Sequence, residues 1–487
     1  MIQFIKKHST ICLILLLTLL YSSYIIWENI KLPVNFMDGT WHYVYAHNIT
    51  TGKIMYQDFY CIVPPLWFYI LSIFTSIIDT YTAVSISNIV FYTLYFFLIM
   101  YSIYYITDKK KNYHVVYFIV FIISLFVFTS TSTLIFEYNR FISLLLILSI
   151  FCIYNIIKNK KILRMNIFFI GLLCSFMLLT KQSIGIIYSS FYFLFLLYFC
   201  IKQKHNLELK NILYFIFGFI VGLFPFIMWL IYYNNFIPFL NSCVFGLQSA
   251  TSNFIYNILD LLYMILILIS IFIFLIIQYK RKYDDMFLFL ALFLFPSITF
   301  IYPVCNMVHF SCIFPFLIIG IMYYISNNFF SLTIKNNIRF IIILTLIFVF
   351  KIIYSYYSVN IYESKVFSRD IFIPNEYLNL QTDFDLMTNY IIEHPEYDFY
   401  SPDSTYQYLM LESKREIPSE LSLFCKGSLG TNNPVDLMKK YESQNSLYFI
   451  NKKYIMYQTP KEAIDYICNN YELIDVIGNS FEIYRPK

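Results

Sequence analysis

The sequence predicts an all-α membrane protein, a polytopic bundle of transmembrane helices followed by a small α/β domain. Hydrophobic residues make up 59% of the 487 residues and charged residues only 13%, whereas about a quarter of the residues in a soluble domain are charged. Apolar runs recur as far as residue 357, and runs of about 20 such residues are typical of membrane helices. Acidic residues become frequent only in 358–487, which indicates a separate domain there.

Clusters of basic residues set the expected topology, because short cytoplasmic loops carry an excess of lysine and arginine. Lys6 and Lys7 place the N-terminus in the cytoplasm. The apolar run that follows is long and has no small-residue cleavage site, so we expect an uncleaved first span and not a signal peptide. The net charge of +5 therefore concerns topology, and we expect no nucleic-acid partner.

Each apolar run is expected to be a helix. The run 65–78 is too short to cross a bilayer, and we predict a re-entrant or surface-lying helix that turns at Asp79. This assignment keeps the lysines at 109–111 in the cytoplasm and gives about eleven crossings, with every basic cluster inside and the C-terminal domain outside. The predicted spans are 9–28, 81–106, 114–134, 141–157, 165–180, 183–201, 211–232, 255–278, 286–304, 311–326 and 339–357.

The hydrophobic pattern of the C-terminal segment predicts alternating short helices and strands. Candidate helices are 383–393, 403–412 and 459–469, and candidate strands lie near 397, near 446, and on the two sides of Asn479. Cys425 and Cys468 could pair there, but spacing does not decide whether they do. The cysteines show no metal-ligand spacing, and most of them lie in apolar segments as small hydrophobic residues.

The first outer loop, residues 29–64, is rich in side chains that carry chemistry. Residues 38–50 are predicted to form a short interfacial helix, with Asp38, His42 and Tyr45 on one face. Further polar residues lie at the ends of apolar runs, where an ionisable group is costly and therefore a functional candidate. The positive-inside rule alone places all of them on the same outer face: Asp38, Asp58, Glu137, Arg140, Lys181 and His309.

A pattern of acids, glycines, aromatic residues and prolines runs through the loop: Asp38, Gly39, Tyr45, Ala46, Gly52, Tyr56, Asp58, Phe59, Pro64 and Pro65. It resembles the first outer loop of the GT-C superfamily of glycosyltransferases, of the protein O-mannosyltransferase and aminoarabinose-transferase type. The segments 178–185 and 308–317 are similar to that family as well. The resemblance covers residues 1–357 in order and implies a GT-C catalytic domain, with 358–487 as an extracytoplasmic α/β domain.

The resemblance implies an inverting glycosyltransferase, and the composition of the chain favours the plasma membrane as its location. Its donor would be a sugar on polyprenyl phosphate, and its acceptor a hydroxyl on a protein, a glycan or a lipid. Asp38 would be the general base that removes the acceptor proton, although an aspartate before Gly39 also suits a helix N-cap. Glu137 would be a second catalytic acid, or the local partner of Arg140 three residues later.

The remaining candidates would bind substrate. Lys181 and Arg140 would hold the departing phosphate, on which negative charge grows, although a lysine at a span end also snorkels to headgroups. His309 would bond the phosphate or the acceptor, or serve the structure only. Asp58 would line an acceptor groove or cap the following helix. The same resemblance assigns Tyr56, His42 and Gln182 to substrate binding.

No cofactor is expected, because the lipid-linked sugar is itself a co-substrate. The first loop has no D-x-D motif, so we predict a reaction without a metal ion. Two other functions stay open. A transporter or flippase of a lipid-linked saccharide would show mid-membrane charges and inverted repeats, and an outer-face glycan polymerase or ligase would carry arginines in a large outer loop.

Overall fold

The computed structural model describes residues 9–31, 40–107, 114–129, 135–158, 163–202, 209–246, 258–281, 284–301, 307–328, 380–402, 405–415, 417–418, 424, 433–452 and 459–487. Asp38, the predicted span 339–357 and Cys425 lie outside these residues. Within them the chain is mostly helical, with a small sheet near the C-terminus.

The apolar part of the chain consists of helices joined by short segments. They are α1 (Ser9–Lys31), α2 (Thr40–Thr50), α3 (Leu66–Thr75), α4 (Thr80–Ile106), α5 (His114–Thr129), α6 (Tyr138–Lys158), α7 (Leu163–Leu178), α8 (Gln182–Lys202), α9 (Ile212–Tyr232), α10 (Phe236–Leu240), α11 (Ile258–Arg281), α12 (Asp285–Ser297) and α13 (Met307–Asn328). The expected helix is therefore present at every apolar run that the structure describes.

In the part of the chain that the structure describes, five helices are long and apolar enough to cross a membrane: Ser9–Ile26, Thr82–Ile106, Tyr138–Lys158, Gln182–Lys202 and Ile212–Tyr232. They indicate association with a membrane, while the number of eleven crossings and the side on which each end lies stay predictions. Helix α3 has 10 residues, which is too short for a span, as predicted for this run. Asp79 lies in the turn after α3 and caps α4, since its Oδ1 accepts a hydrogen bond from the Thr82 amide at 3.0 Å.

The centre of the bundle is formed by α4, α6 and α13. Ser143 of α6 links all three, because its hydroxyl pairs with the Tyr95 hydroxyl at 2.7 Å and donates to the Cys312 carbonyl at 2.7 Å. Of the apolar spans, α6 is 67% buried and α9 only 22%. The exposed side of α9 is apolar, as expected for a helix that faces lipid.

Helix α9 is held to α7 through small residues. A Cβ atom added at Gly171 or Gly218 would collide with backbone of the opposite helix, and one added at Gly222 would collide with the Ser175 side chain. Small residues four apart on both helices therefore let the two backbones approach closely, as is common in membrane helix pairs.

The two ends of the bundle differ in chemistry. At one end Lys158 pairs with Asp284 at 3.4 Å, Lys202 pairs with Asp285, and the Tyr323 hydroxyl donates to Asp284 at 2.5 Å. These residues mark the C-terminal ends of α6, α8 and α13, so the N-terminal ends of the same helices lie at the other end. A helix of 21 residues is about 30 Å long, and this length separates the lysine-rich end from the end that carries Arg140, Lys181 and the start of α13.

The C-terminal domain has the predicted α/β character. Its elements are α14 (Leu380–Glu393), β1 (Asp398–Tyr400), α15 (Thr405–Glu412), α16 (Pro434–Tyr441), β2 (Ser446–Asn451), α17 (Lys461–Asn470), β3 (Tyr471–Ile477) and β4 (Phe481–Pro486). The strand order is β1-β2-β4-β3, with β1 parallel to β2 and the other pairs antiparallel. All predicted strands and helices of this domain are confirmed, whereas α16 had not been predicted.

The predicted turn between β3 and β4 is fixed by one buried carboxylate. Gly478 has a φ of 58°, a conformation that favours glycine, and an added Cβ would collide with Asp383. Asp383 accepts hydrogen bonds from the Asn479 amide at 3.1 Å and from the Ser480 hydroxyl. The carboxylate therefore ties α14 to the tip of the hairpin.

Candidate functional site

The first loop folds back on itself after α2. This helix confirms the short helix that was predicted at 38–50, and the chain leaves it through Gly52, whose φ is 89°. A tight turn follows, in which Tyr56 has a φ of 73° and its amide donates to the Phe59 carbonyl at 2.9 Å. Asp58 accepts a hydrogen bond from the Ile54 amide at 2.5 Å and so closes this turn.

Asp58 does not cap the helix that follows the loop. Helix α3 begins after Pro65, which makes no side-chain cap bond, and the Asp58 carboxylate is instead engaged within its own turn. The side chain is exposed and lines a cleft together with residues of the C-terminal domain. The capping role expected for Asp58 is therefore wrong, and its role in an acceptor groove stays a prediction.

Two residues that were predicted to bind substrate, Tyr56 and Gln182, make hydrogen bonds that hold the first loop in place. The Tyr56 hydroxyl donates to the Val63 carbonyl at 3.0 Å. The Gln182 amide nitrogen donates to the carbonyls of Ile62 at 3.0 Å and Cys243 at 2.7 Å. Both side chains therefore hold the end of the first loop against the bundle, and their expected contact with substrate stays a prediction.

His42 lies in an aromatic pocket. Its ring centroid is 4.0 Å from that of Trp41, 5.8 Å from Phe68 and 5.2 Å from Tyr138. The side chain is fully buried, and among the described residues neither ring nitrogen has a hydrogen-bond partner. Burial lowers the pKa of His42 to about 3, so the ring is neutral at physiological pH and offers one donor and one acceptor.

Lys181 and His42 both contact the ring of Tyr138. The Lys181 Nζ is 5.4 Å from the centroid of the Tyr138 ring and donates to the Asn139 Oδ1 at 3.0 Å. Because Tyr138 contacts both side chains, α2 and the turn between α7 and α8 meet at the start of α6. Burial lowers the pKa of Lys181 to about 8, so in most molecules the Lys181 amine is protonated and charged at pH 7.

Arg140 is fully buried within the bundle. Its Nη1 donates to the Ile135 carbonyl at 2.8 Å, and its guanidinium lies 5.5 Å from the centroid of the Tyr92 ring. Glu137 is buried as well, and it is close enough to interact electrostatically with both Arg140 and Lys181. A role for Glu137 as the partner of Arg140 therefore fits the geometry as well as a catalytic role does.

His309 completes the cluster from the start of α13. It is half-buried and interacts electrostatically with Lys181 and Arg140. The structure thus brings together four residues that were predicted to share a site and that come from three distant parts of the chain, and His42 joins them through Tyr138. Sequence analysis assigned no role to Tyr138 or Asn139, which are the direct contacts of Lys181.

The chemistry of this cluster suits an anion. A lysine, a buried arginine and an imidazole all carry N–H groups, and charge-assisted hydrogen bonds from such groups to phosphate oxygens are strong. Within the described parts of the chain there is no group of three or more His, Cys, Asp or Glu side chains that could hold a metal ion. Asp38 lies outside those parts, so the prediction of a metal-independent reaction is not tested.

No family model and no curated protein matches this chain. The similarity to the GT-C superfamily therefore stays a prediction, which rests on the pattern in the first loop and in the two later segments.

Proposed function

We propose that the protein is an integral membrane inverting glycosyltransferase, which moves a sugar from a polyprenyl-phosphate donor to a hydroxyl of a protein, glycan or lipid acceptor. The observation that supports this function best is the convergence of Lys181, Arg140, Glu137 and His309 at one end of an apolar bundle. That end lies away from the lysine-rich ends of the helices.

The cations of the cluster suit the leaving group. When the bond between the anomeric carbon and the phosphate oxygen breaks, its electron pair stays on the phosphate as negative charge. Preorganised donors in a site of low dielectric stabilise such a charge most effectively. Lys181 is held by Asn139 and Arg140 by the Ile135 carbonyl, so neither side chain needs to reorganise during the reaction.

The acceptor side of the reaction is assigned to the first loop. Asp38 lies two residues before α2 in the sequence, and α2 contacts the cluster through His42 and Tyr138. In the proposed step the Asp38 carboxylate takes the acceptor proton while the oxygen attacks the anomeric carbon from the face opposite the phosphate. This direction of attack inverts the configuration, and polyprenyl phosphate leaves.

The apolar surroundings suit the lipid chain of the donor. The exposed side chains of α9 are large and hydrophobic over most of its length. A lipid chain gains about 0.8 kcal/mol for each methylene that leaves water and enters the bilayer. A polyprenyl chain would therefore lie along the bundle within the bilayer, with its phosphate at the polar end.

The experiment that tests the general base compares Asp38→Asn with Asp58→Asn. Both changes remove one carboxylate from the same loop, but only Asp38 is assigned to proton removal. Purified protein in detergent receives labelled polyprenyl-phosphate sugars and a membrane extract as acceptor. We expect Asp38→Asn to lower transfer at least about 100-fold while donor binding is kept, whereas Asp58→Asn should keep kcat within about twofold of the wild type and change only the KM for the acceptor. Normal transfer by Asp38→Asn would disprove the assignment.

A further inference from the structure

A second polar site lies between the first loop and the C-terminal domain. It is a cleft of about 990 Å³ that has Lys53, Gln57 and Asp58 on the loop side. The domain contributes the edge strand β1, the turn after α15 and the end of α16: Tyr397, Asp398, Phe399, Tyr400, Met410, Lys414, Arg415, Ile417, Pro418, Lys440 and Tyr441. None of the roles assigned above uses the domain side of this cleft.

The cleft combines positive charge with aromatic rings. Among the described residues that line the cleft, four are cationic (Lys53, Lys414, Arg415 and Lys440) and two are carboxylates (Asp58 and Asp398). Three tyrosines line the same wall, and the rings of Tyr400 and Tyr441 lie 5.9 Å apart. A positive cleft attracts and orients anions, while tyrosine offers both an apolar face for the C–H side of a sugar ring and a hydroxyl for hydrogen bonds.

The walls of the cleft are held in place by their own contacts. The Arg415 guanidinium donates to the carbonyls of Ile391 at 2.9 Å and His394 at 3.0 Å, so it fixes the turn after α15 against the end of α14. On the loop side the Gln57 amide donates to the Tyr233 carbonyl at 2.6 Å. Helix α15 packs against α2 and α4, which places this domain beside the helix that follows Asp38.

We propose that this cleft binds the acceptor, and that the acceptor is an anionic glycan, a saccharide chain that carries phosphate or carboxylate groups. The inference rests on the proposed function, because it assigns the second substrate of the same transfer. The lysines hold the acidic groups of the chain, and the tyrosines stack on its sugar rings. The hydroxyl that receives the new sugar then lies on the first-loop side of the cleft.

Binding by the full-length protein in detergent tests the proposal without any need for turnover. The probe is a fluorescent phosphorylated mannose oligosaccharide, compared with the same oligosaccharide after phosphatase treatment and with an acidic peptide of equal charge. Lys414→Gln combined with Lys440→Gln removes two cations of the cleft. The matched control is Lys439→Gln combined with Lys461→Gln, which removes two cations outside it.

We expect the phosphorylated oligosaccharide to bind at least about tenfold more tightly than the other two probes, and the cleft double variant to weaken this binding about tenfold, a typical sum for two exposed ion pairs. The control pair should leave the affinity unchanged. Asp398→Asn should tighten binding about twofold, a change that misfolding cannot imitate. Equal binding of the dephosphorylated oligosaccharide, tighter binding of the peptide, or an unchanged affinity in the cleft variant would overturn the proposal.

A transfer assay with the same variants separates this proposal from the proposed function. If the wild type transfers sugar to neutral acceptors and the cleft variants do so equally well, the acceptor proposal fails and the glycosyltransferase stands. If the phosphorylated oligosaccharide binds as expected but no donor ever loses its sugar, the cleft is an anionic-glycan site and the proposed function fails.

Discussion

Exchanging Lys181 for methionine keeps an unbranched side chain of similar size and removes its positive charge. The lysine Nζ contacts Asn139 and the Tyr138 ring and lies at the place assigned to the departing phosphate. Loss of one preorganised donor from such a place typically lowers turnover by about 10²- to 10³-fold. We expect about 100-fold, the lower end of this range, since Arg140 still supplies charge in the variant.

The assay is transfer from a labelled polyprenyl-phosphate sugar, with Lys202→Met as the matched control. Lys202 ends the same helix that Lys181 precedes, but it pairs with Asp285 at the opposite end of the bundle. The control should therefore keep the transfer rate within about twofold, as for most exposed charges. If Lys181→Met also transfers within threefold of the wild type, Lys181 does not hold the phosphate.

The pH dependence gives a second readout for the same residue. The pKa of Lys181 is lowered to about 8, so the cation is present below that pH and is lost as the pH rises through it. The ratio kcat/KM, which reports the free enzyme, should therefore fall above about pH 8. Lys181→Arg keeps its charge and should lack this decline, whereas an unchanged decline in that variant would assign it to another group.

Three further changes test the packing around the site. His42→Phe should lower transfer about tenfold yet raise the free energy of unfolding by about 1 kcal/mol, since it removes a buried polar ring without partners among the described residues; a thermal scan in detergent checks the second effect. Gly222→Leu should lower the free energy of unfolding by about 1–3 kcal/mol, because the larger side chain overpacks the contact between α7 and α9. Val221→Leu, on the lipid-facing side of α9, is the control and should leave the same thermal scan unchanged. Asp383→Asn should lower the free energy of unfolding by about 1–3 kcal/mol and should speed proteolysis of the C-terminal domain. An unchanged rate of proteolysis would refute the role given to the Asp383 carboxylate.

The fold was predictable wherever one pattern decides the local structure. Apolar runs predicted the helices, and alternation with a turn at Asn479 predicted the hairpin of β3 and β4. Helix α16 was missed because it has only 8 residues and mixes apolar with charged side chains, and its start depends on a cap that Asn433 makes with the Val435 amide at 3.1 Å. The number of spans is not decided by apolarity, since several apolar helices are shorter than a bilayer is thick.

The site was predictable in its charges and not in its contacts. Charged groups are rare in apolar helices and costly there, so Arg140, Lys181 and His309 stood out. Tyr138 did not, because 47 of the 487 residues are tyrosine and only packing reveals which ring contacts two polar side chains. For the same reason polarity could not distinguish Gln182, whose amide anchors the loop, from a residue that contacts substrate.

The most direct measurement follows the fate of the donor. Purified protein is mixed in stoichiometric amount with a panel of labelled polyprenyl-phosphate sugars, in detergent and in sealed vesicles, with membrane extract as acceptor. We expect that one donor is converted to polyprenyl phosphate while its sugar appears in the acceptor, in detergent as well as in vesicles. If no donor loses its sugar but a labelled lipid-linked saccharide crosses the vesicle bilayer, the protein is a transporter and the account is wrong.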